Sequence, residues 1–356
     1  MNEPCGALQT SHCLQTDAYP AHSSELMTTV RTTLGIAFAC MFFALAPWML
    51  DLANLRFATD LLVYLSLAAM WNLRAGFGGL ISVGQQAYVG IGGYAFFVCL
   101  AFFGLPLPVS ILAGMAFSAA AALVFAPLLL RLKGPHFAIG TWVMAELCLL
   151  AVANTPYLGG GSGMSLPASI ARQIAADRAG REAVIFFCAL LLAFSSIAGS
   201  YLLLRSKWGL ALTALRDSER AAESLGVDTR RIKLAVFVGC AAMTGAVGSV
   251  VFLSKLRMTP DSAFSLIDWT AYVVFIVIIG GIGRIEGPIL GTIVFFALRG
   301  SLADLGPLYL TVLGLVAIIV MLKAPQGLWG LVAERYQIDI FPVRRRMRSI
   351  ESSTKQ

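Results

Sequence analysis

The chain has 356 residues, 58% of them apolar and only 13% charged, where soluble domains run near 45–50% apolar and ~25% charged. That balance excludes an ordinary soluble protein. Lysine and arginine outnumber the acidic residues 26 to 19, giving a net charge of +7. Each membrane-spanning helix takes ~20 mainly apolar residues, and unbroken runs such as Phe275 to Ile279 do not match the alternating ~10-residue segments of a transmembrane barrel. The expected class is an all-α polytopic membrane protein.

Residues 1–31 are polar and lack the apolar core of a signal peptide, so a disordered cytoplasmic tail is expected there, with Met27 as a second possible start. A transmembrane domain is expected over 32–323, in ten apolar segments. They are Leu34 to Leu50, Phe57 to Leu73, Gln86 to Phe103, Leu107 to Leu130, His136 to Ala153, Ala183 to Leu204, Leu234 to Ser254, Trp269 to Ile282, Pro288 to Leu302 and Leu308 to Leu322. Basic residues concentrate at Arg205 to Lys233 and Lys323 to Lys355. The positive-inside rule then puts both of these stretches, both termini, Arg131 and Lys133 in the cytoplasm. The long loop Asn154 to Glu182 falls outside. The basic tail 324–356, with Arg344 to Arg348, reads as a juxtamembrane anchor to anionic lipid. The seven cysteines show no C-x-x-C spacing, so neither zinc nor a disulfide framework is expected.

No G-x-x-x-x-G-K-S/T motif is present, so ATP drive would have to come from a partner. H-E-x-x-H and G-x-S-x-G are absent too, and no cofactor, metal site or nucleic-acid partner is expected. In the stretch Arg205 to Lys233, Asp217 or Ser218 can cap a short helix that sets Ala222 and Leu225 on one face near Leu215. Gly226 can close that helix in a left-handed turn, and Asp228 or Thr229 can start the next. The pattern fits a helix that docks in a groove of another protein, and equally a solvated amphipathic loop.

Glycines cluster at Gly76 to Gly93 and at Gly280 to Gly291. In the first cluster, Ser82, Gln85 and Gln86 point to backbone broken at membrane depth beside a cavity, since buried amides need polar neighbours. The second, with Gly283, Gly287 and Gly291 four apart, is expected to serve close helix packing. Glu146 lies mid-segment, where a carboxylate is a functional candidate: it can meet a substrate ammonium or an internal arginine, or stand in a purely structural bond.

Five blocks in order resemble the permease subunits of branched-chain amino acid ABC importers, the LivM type, from about Leu61 to Gly330. They are Gly79 to Tyr94, Arg131 to Thr141 with Glu146, Thr155 with Gly159 to Gly163, Arg205 to Gly226, and Gly280 to Gly291. The resemblance implies an ABC importer permease fold, about ten transmembrane helices with some broken at glycine-rich stretches, and a multi-pass inner-membrane location. It also implies a second, LivH-like permease, two cytoplasmic ATPase subunits and an extracytoplasmic binding protein as partners. Ser82, Gln85, Gln86 and Glu146 are then expected on the substrate path. Arg216, Glu219, Ala221, Ala222 and Gly226 are expected to couple to the ATPases. Arg220, Leu210, Gly93 and Arg284 depart from the family pattern, which leaves importers of urea or short amides as an alternative. An ion-coupled secondary transporter should carry ionisable groups in several crossings, and Glu146 is the one clear case.

Overall fold

The computed structural model describes residues 46–175, 177–224, 226–302, 306, 308–324 and 326–336. The expected tail 1–31, most of the segment Leu34 to Leu50 and the run Arg344 to Arg348 lie outside the described residues. Helices dominate, in the order α1 (Ala46–Met49), α2 (Leu52–Asn72), α3 (Gln85–Ala101), α4 (Leu107–Leu129) and α5 (Pro135–Ala153). After a short strand β1 (Met164–Ser165) come α6 (Ala168–Ile174), α7 (Arg178–Arg205), α8 (Lys207–Asp217), α9 (Glu219–Ser224) and α10 (Thr229–Lys255). Strand β2 (Arg257–Met258) precedes α11 (Pro260–Ala263), α12 (Tyr272–Gly280), α13 (Glu286–Leu302), α14 (Leu308–Lys323) and α15 (Gly327–Tyr336).

Each apolar segment expected from Phe57 onward coincides with a helix. Among the described residues, six helices are long and apolar enough to cross a membrane, or seven if the bent pair α14 and α15 counts as one span. Ten crossings are therefore more than helix length alone marks among the described residues, which leave out most of the first expected segment. At 17 residues each, α3 and α13 extend about 26 Å at 1.5 Å per residue, short of a hydrocarbon core of ~30 Å. Two spans contain π-helical turns, at Leu73–Phe77 after α2 and at Ile267–Ala271 before α12.

Local chemistry sets the helix ends. Pro135 opens α5 behind Gly134, whose φ of 56° only glycine adopts freely. Asp228 caps α10 by accepting from the Arg231 amide at 3.1 Å, and Thr259 and Ser262 form a capping box on α11. The loop 154–182 is ordered by pairing: Met164 faces Met258 and Ser165 faces Arg257 in an antiparallel ladder. The sequence places the start of segment six at Ala183, but α7 begins at Arg178 and takes Glu182 with it, 3% exposed. Arg56 Nε donates to that carboxylate at 3.0 Å and so compensates the buried charge.

Helix α10 is buried from Ile232 to Leu253 on its inner face and packs against α3 and α4. Small residues make the crossing. A Cβ at Gly92 would lie 2.2 Å from Gly245 O, one at Gly114 2.2 Å from Ser249 Oγ, and one at Gly248 2.3 Å from Val89 O. Gly90 and Gly93 likewise meet Phe264 and Phe252 from inside continuous α3. This half of the first glycine cluster therefore packs helices. By contrast, α4 and α5 leave Phe117, Val124, Val143 and Leu147 exposed, as a lipid- or subunit-facing surface requires.

Candidate functional site

The polar station expected at Ser82, Gln85 and Gln86 is enclosed. Residues 78–84 are non-helical and join the π-helical end of α2 to α3. Ser82 and Gln86 are 0% exposed and Gln85 1%. Trp71 Nε1 donates to Ser82 O at 2.9 Å, and the Ser82 hydroxyl accepts from the Gly84 amide at 3.3 Å. Gln85 Nε2 donates to Leu67 O at 3.2 Å, while Thr270 Oγ1 donates to Gln86 Oε1. Gln85 Oε1, Gln86 Nε2 and the hydroxyls of Tyr88 and Tyr94 have no partner among the described residues. One acceptor, one donor and two amphoteric hydroxyls are thus left open on different sides of α3, each costing ~1–3 kcal/mol while unpaired. A polar solute that paired with them would remove that cost.

Glu146 stands apart from this station. It is half-buried on α5 and accepts from Trp142 Nε1 at 3.2 Å, one turn away on the same helix. Trp142 is 43% exposed, with Val143, Leu147 and Leu150 exposed around it. The carboxylate therefore sits on an outward apolar face of this chain. What links α5 to the glutamine station is Thr141, whose hydroxyl accepts from the Val83 amide at 3.0 Å.

The stretch expected to hold one short helix holds two. Ser206 caps α8 by accepting from the Trp208 amide at 3.2 Å, and α9 follows directly after Ser218. Gly226, with φ of +79°, forms the expected left-handed turn. Ala222 is 1% exposed and Leu212 and Leu215 are buried, so these side chains face the protein's own body. The outward surface is Arg220, Glu223, Ser224 and Gly226. Ala221 lies on α9 between these residues. Glu219 accepts from Lys233 Nζ at 2.6 Å, and Glu223 accepts from Thr229 Oγ1 at 3.0 Å, which ties α9 to the start of α10. The Lys233 hydrogen bond, aided by the charges of Lys233 and Lys133, holds the Glu219 carboxyl below its ordinary pKa against the opposing effect of burial. Beneath the hairpin lies a cleft of about 330 Å³ lined by Arg131, Glu219, Glu223, Arg230 and Lys233. Arg216 is exposed, and its Nη1 donates to Gly76 O at 3.0 Å.

Compared with known proteins, residues 54–322 match the family described as branched-chain amino acid transport system / permease component. The chain belongs to this family. It is 30% identical to the high-affinity branched-chain amino acid transport system permease protein LivM of Escherichia coli K12, over 85% of this chain and 76% of that protein. Identity to the LivM of Salmonella typhimurium LT2 is 29% over the same shares. A probable LivH permease of Methanocaldococcus jannaschii is 24% identical over 69% of this chain and 82% of its own length. No solved structure matches. As a permease component the chain is a transport subunit of a membrane system and not an enzyme.

Two groups escaped the sequence reading of this permease. Asn72, 2% exposed, bonds to the turn after α12, 211 residues on. Arg74, 1% exposed, keeps its Nε unpartnered among the described residues. The available signal was a polar pair closing an otherwise apolar run, read there only as the end of a segment.

Proposed function

We propose that this permease forms one membrane half of an ATP-driven importer that moves branched-chain amino acids handed over by an extracytoplasmic binding protein. The second membrane half is a LivH-like permease, and two cytoplasmic ATPase subunits supply the drive that a chain without a P-loop cannot. The match over residues 54–322 carries this reading. Both termini and the α8–α9 hairpin lie in the cytoplasm and loop 154–182 lies outside, in keeping with the basic residues. The ten-segment topology takes the six long helices, the bent pair α14 and α15 as one span, the short α3 and α13 as crossings whose ends are covered by buried irregular backbone, and the segment Leu34 to Leu50, most of which lies outside the described residues.

The substrate passes Ser82, Gln85 and Gln86, whose open amide groups suit the carboxylate and ammonium of an amino acid. Thr270 joins them through its bond to Gln86. Glu146 contributes from the outward face of α5, where a second permease would cover it. The coupling set is Arg216, Glu219, Ala221, Ala222 and Gly226. Within it, Ala222 supports the hairpin from inside, Arg216 ties α8 to Gly76, and the exposed residues around Gly226 meet the ATPase.

The test is uptake into proteoliposomes holding both permeases and both ATPases, with the binding protein added outside. Leucine, isoleucine and valine should compete for one pathway while urea and acetamide do not. Uptake of urea with no inhibition by leucine would transfer the chain to the amide-importing alternative.

A further inference from the structure

Three segments far apart in sequence meet at the cytoplasmic end of α2. The first is the π-helical turn Leu73–Phe77, the second the last turn of α8, and the third the turn between α12 and α13. Asn72 holds the third with both ends of its amide: Oδ1 accepts from the Gly283 amide at 2.8 Å, and Nδ2 donates to Arg284 O at 2.8 Å. Arg216 holds the first from α8 through Gly76 O at 3.0 Å. The contact admits no further bulk. A Cβ on Gly76 would sit 2.4 Å from Asn72 Oδ1 and 2.6 Å from Gly283 N, and one on Gly283 would sit 2.7 Å from Arg216 Nη1. Gly283 also has φ of +74°, a conformation side-chain-bearing residues rarely adopt.

We propose that Asn72 is a positioning residue for energy coupling, the pivot of a clasp through which the α8–α9 hairpin moves the α12–α13 turn. The inference rests on the importer reading above and adds the route by which the hairpin's displacement reaches the path. A shift of α8 pulls Gly76 through Arg216. Asn72, one turn earlier on the same helix, carries the Gly283–Arg284 turn with it. Arg284 Nη2 extends the clasp to Gln326 Oε1 at 3.1 Å, just before α15. In the other direction, the segment from Gly76 leads within ten residues to Ser82, Gln85 and Gln86. Each bond ends on a backbone atom, so a displacement of the helix that carries the side chain is passed to the main chain of its partner.

The experiment uses the assembled four-subunit complex in proteoliposomes and reads two quantities: ATP hydrolysis stimulated by leucine-loaded binding protein, and leucine transported per ATP hydrolysed. Asn72→Ala should lower transport per ATP at least fivefold and flatten the stimulation. Asn72→Asp, which keeps the acceptor toward Gly283 but loses the donor toward Arg284, should fall between. A merely structural Asn72 would lower hydrolysis and transport together and leave their ratio unchanged, which would overturn the proposal. Should Asn72→Ala fail to assemble, Arg216→Lys leaves the buried amide bonds in place and must still lower the ratio; an unchanged ratio refutes the clasp. A wild-type complex that neither assembles nor couples hydrolysis to uptake refutes the importer reading itself. A coupled wild type with equally coupled variants refutes the clasp alone.

Discussion

Replacing Gly92 by alanine puts a methyl group 2.2 Å from Gly245 O and 2.5 Å from Gly245 Cα. Ordinary contact begins near 3.4 Å, so α3 and α10 must separate by about 1.2 Å at their crossing. Neither partner atom is the flexible end of a side chain, and overpacking of this kind costs about 1–3 kcal/mol. Separation also weakens the Ser249 Oγ bond to Gly92 O, now 3.2 Å, a class of contact worth about 0.6 kcal/mol between membrane helices. Alanine's helical preference returns about 0.5–1 kcal/mol, leaving a net loss of roughly 1–3 kcal/mol. Gly239, on the same α10 but exposed and with nothing within 4 Å of its virtual Cβ, supplies the control: Gly239→Ala should be neutral or slightly stabilising. Equilibrium unfolding of the purified chain in mixed micelles, titrated with SDS, measures both. Equal stability of the two variants would show that the small-residue crossing is not tightly packed, and the account of the core would fail.

Glu146→Gln should reduce leucine uptake several-fold while the subunits still co-purify; unaltered transport kinetics would return Glu146 to a local bond with Trp142. Gln86→Leu with Thr270→Val removes one open donor and both partners of a buried hydrogen bond. It should leave stability nearly unchanged and abolish uptake, and normal uptake would remove this station from the path. Because Lys233 depresses the pKa of Glu219, the stabilisation from that pair is complete above the ordinary carboxylate value and lost as pH falls through the lower native one. Pepsin digestion should therefore find the α8–α9 hairpin resistant at pH 5 and above and progressively cut below about pH 4.3; resistance of Glu219→Gln equal to that of wild type at pH 5 would contradict the assignment. In a cysteine-free background, an impermeant thiol reagent added outside should label Ser162→Cys and spare Ser224→Cys, and the reverse pattern would invert the topology.

Apolar runs gave away α2 to α5, α7, α10 and α12 to α14, because length and composition suffice to mark a segment that lipid or a buried core will accept. Gly226 and Asp228 were equally legible, since a left-handed turn and an N-cap are local demands. The inward direction of Ala222 was not, because α9 is too short for its pattern to name the buried face, and α8 before it mixes Lys207 and Arg216 with apolar residues. Pairing of β1 with β2 takes two residues on each side, below any sequence period. The sequence marked Glu146 as a mid-membrane carboxylate but could not orient it, since α5 is apolar all round and carries no periodicity to read. Asn72 failed for another reason: its partners are over two hundred residues away, and only the folded chain brings them together.

The claim that this chain is the membrane half of an ATP-driven importer is tested most directly by separating the two sources of drive. Proteoliposomes containing the permease pair and ATPase subunits are loaded with ATP or with a non-hydrolysable analogue, and proton and sodium gradients are imposed or collapsed. Leucine should accumulate only with hydrolysable ATP inside and loaded binding protein outside, whatever the gradients. Accumulation that follows an ion gradient and ignores ATP would contradict the account and make the chain a secondary transporter.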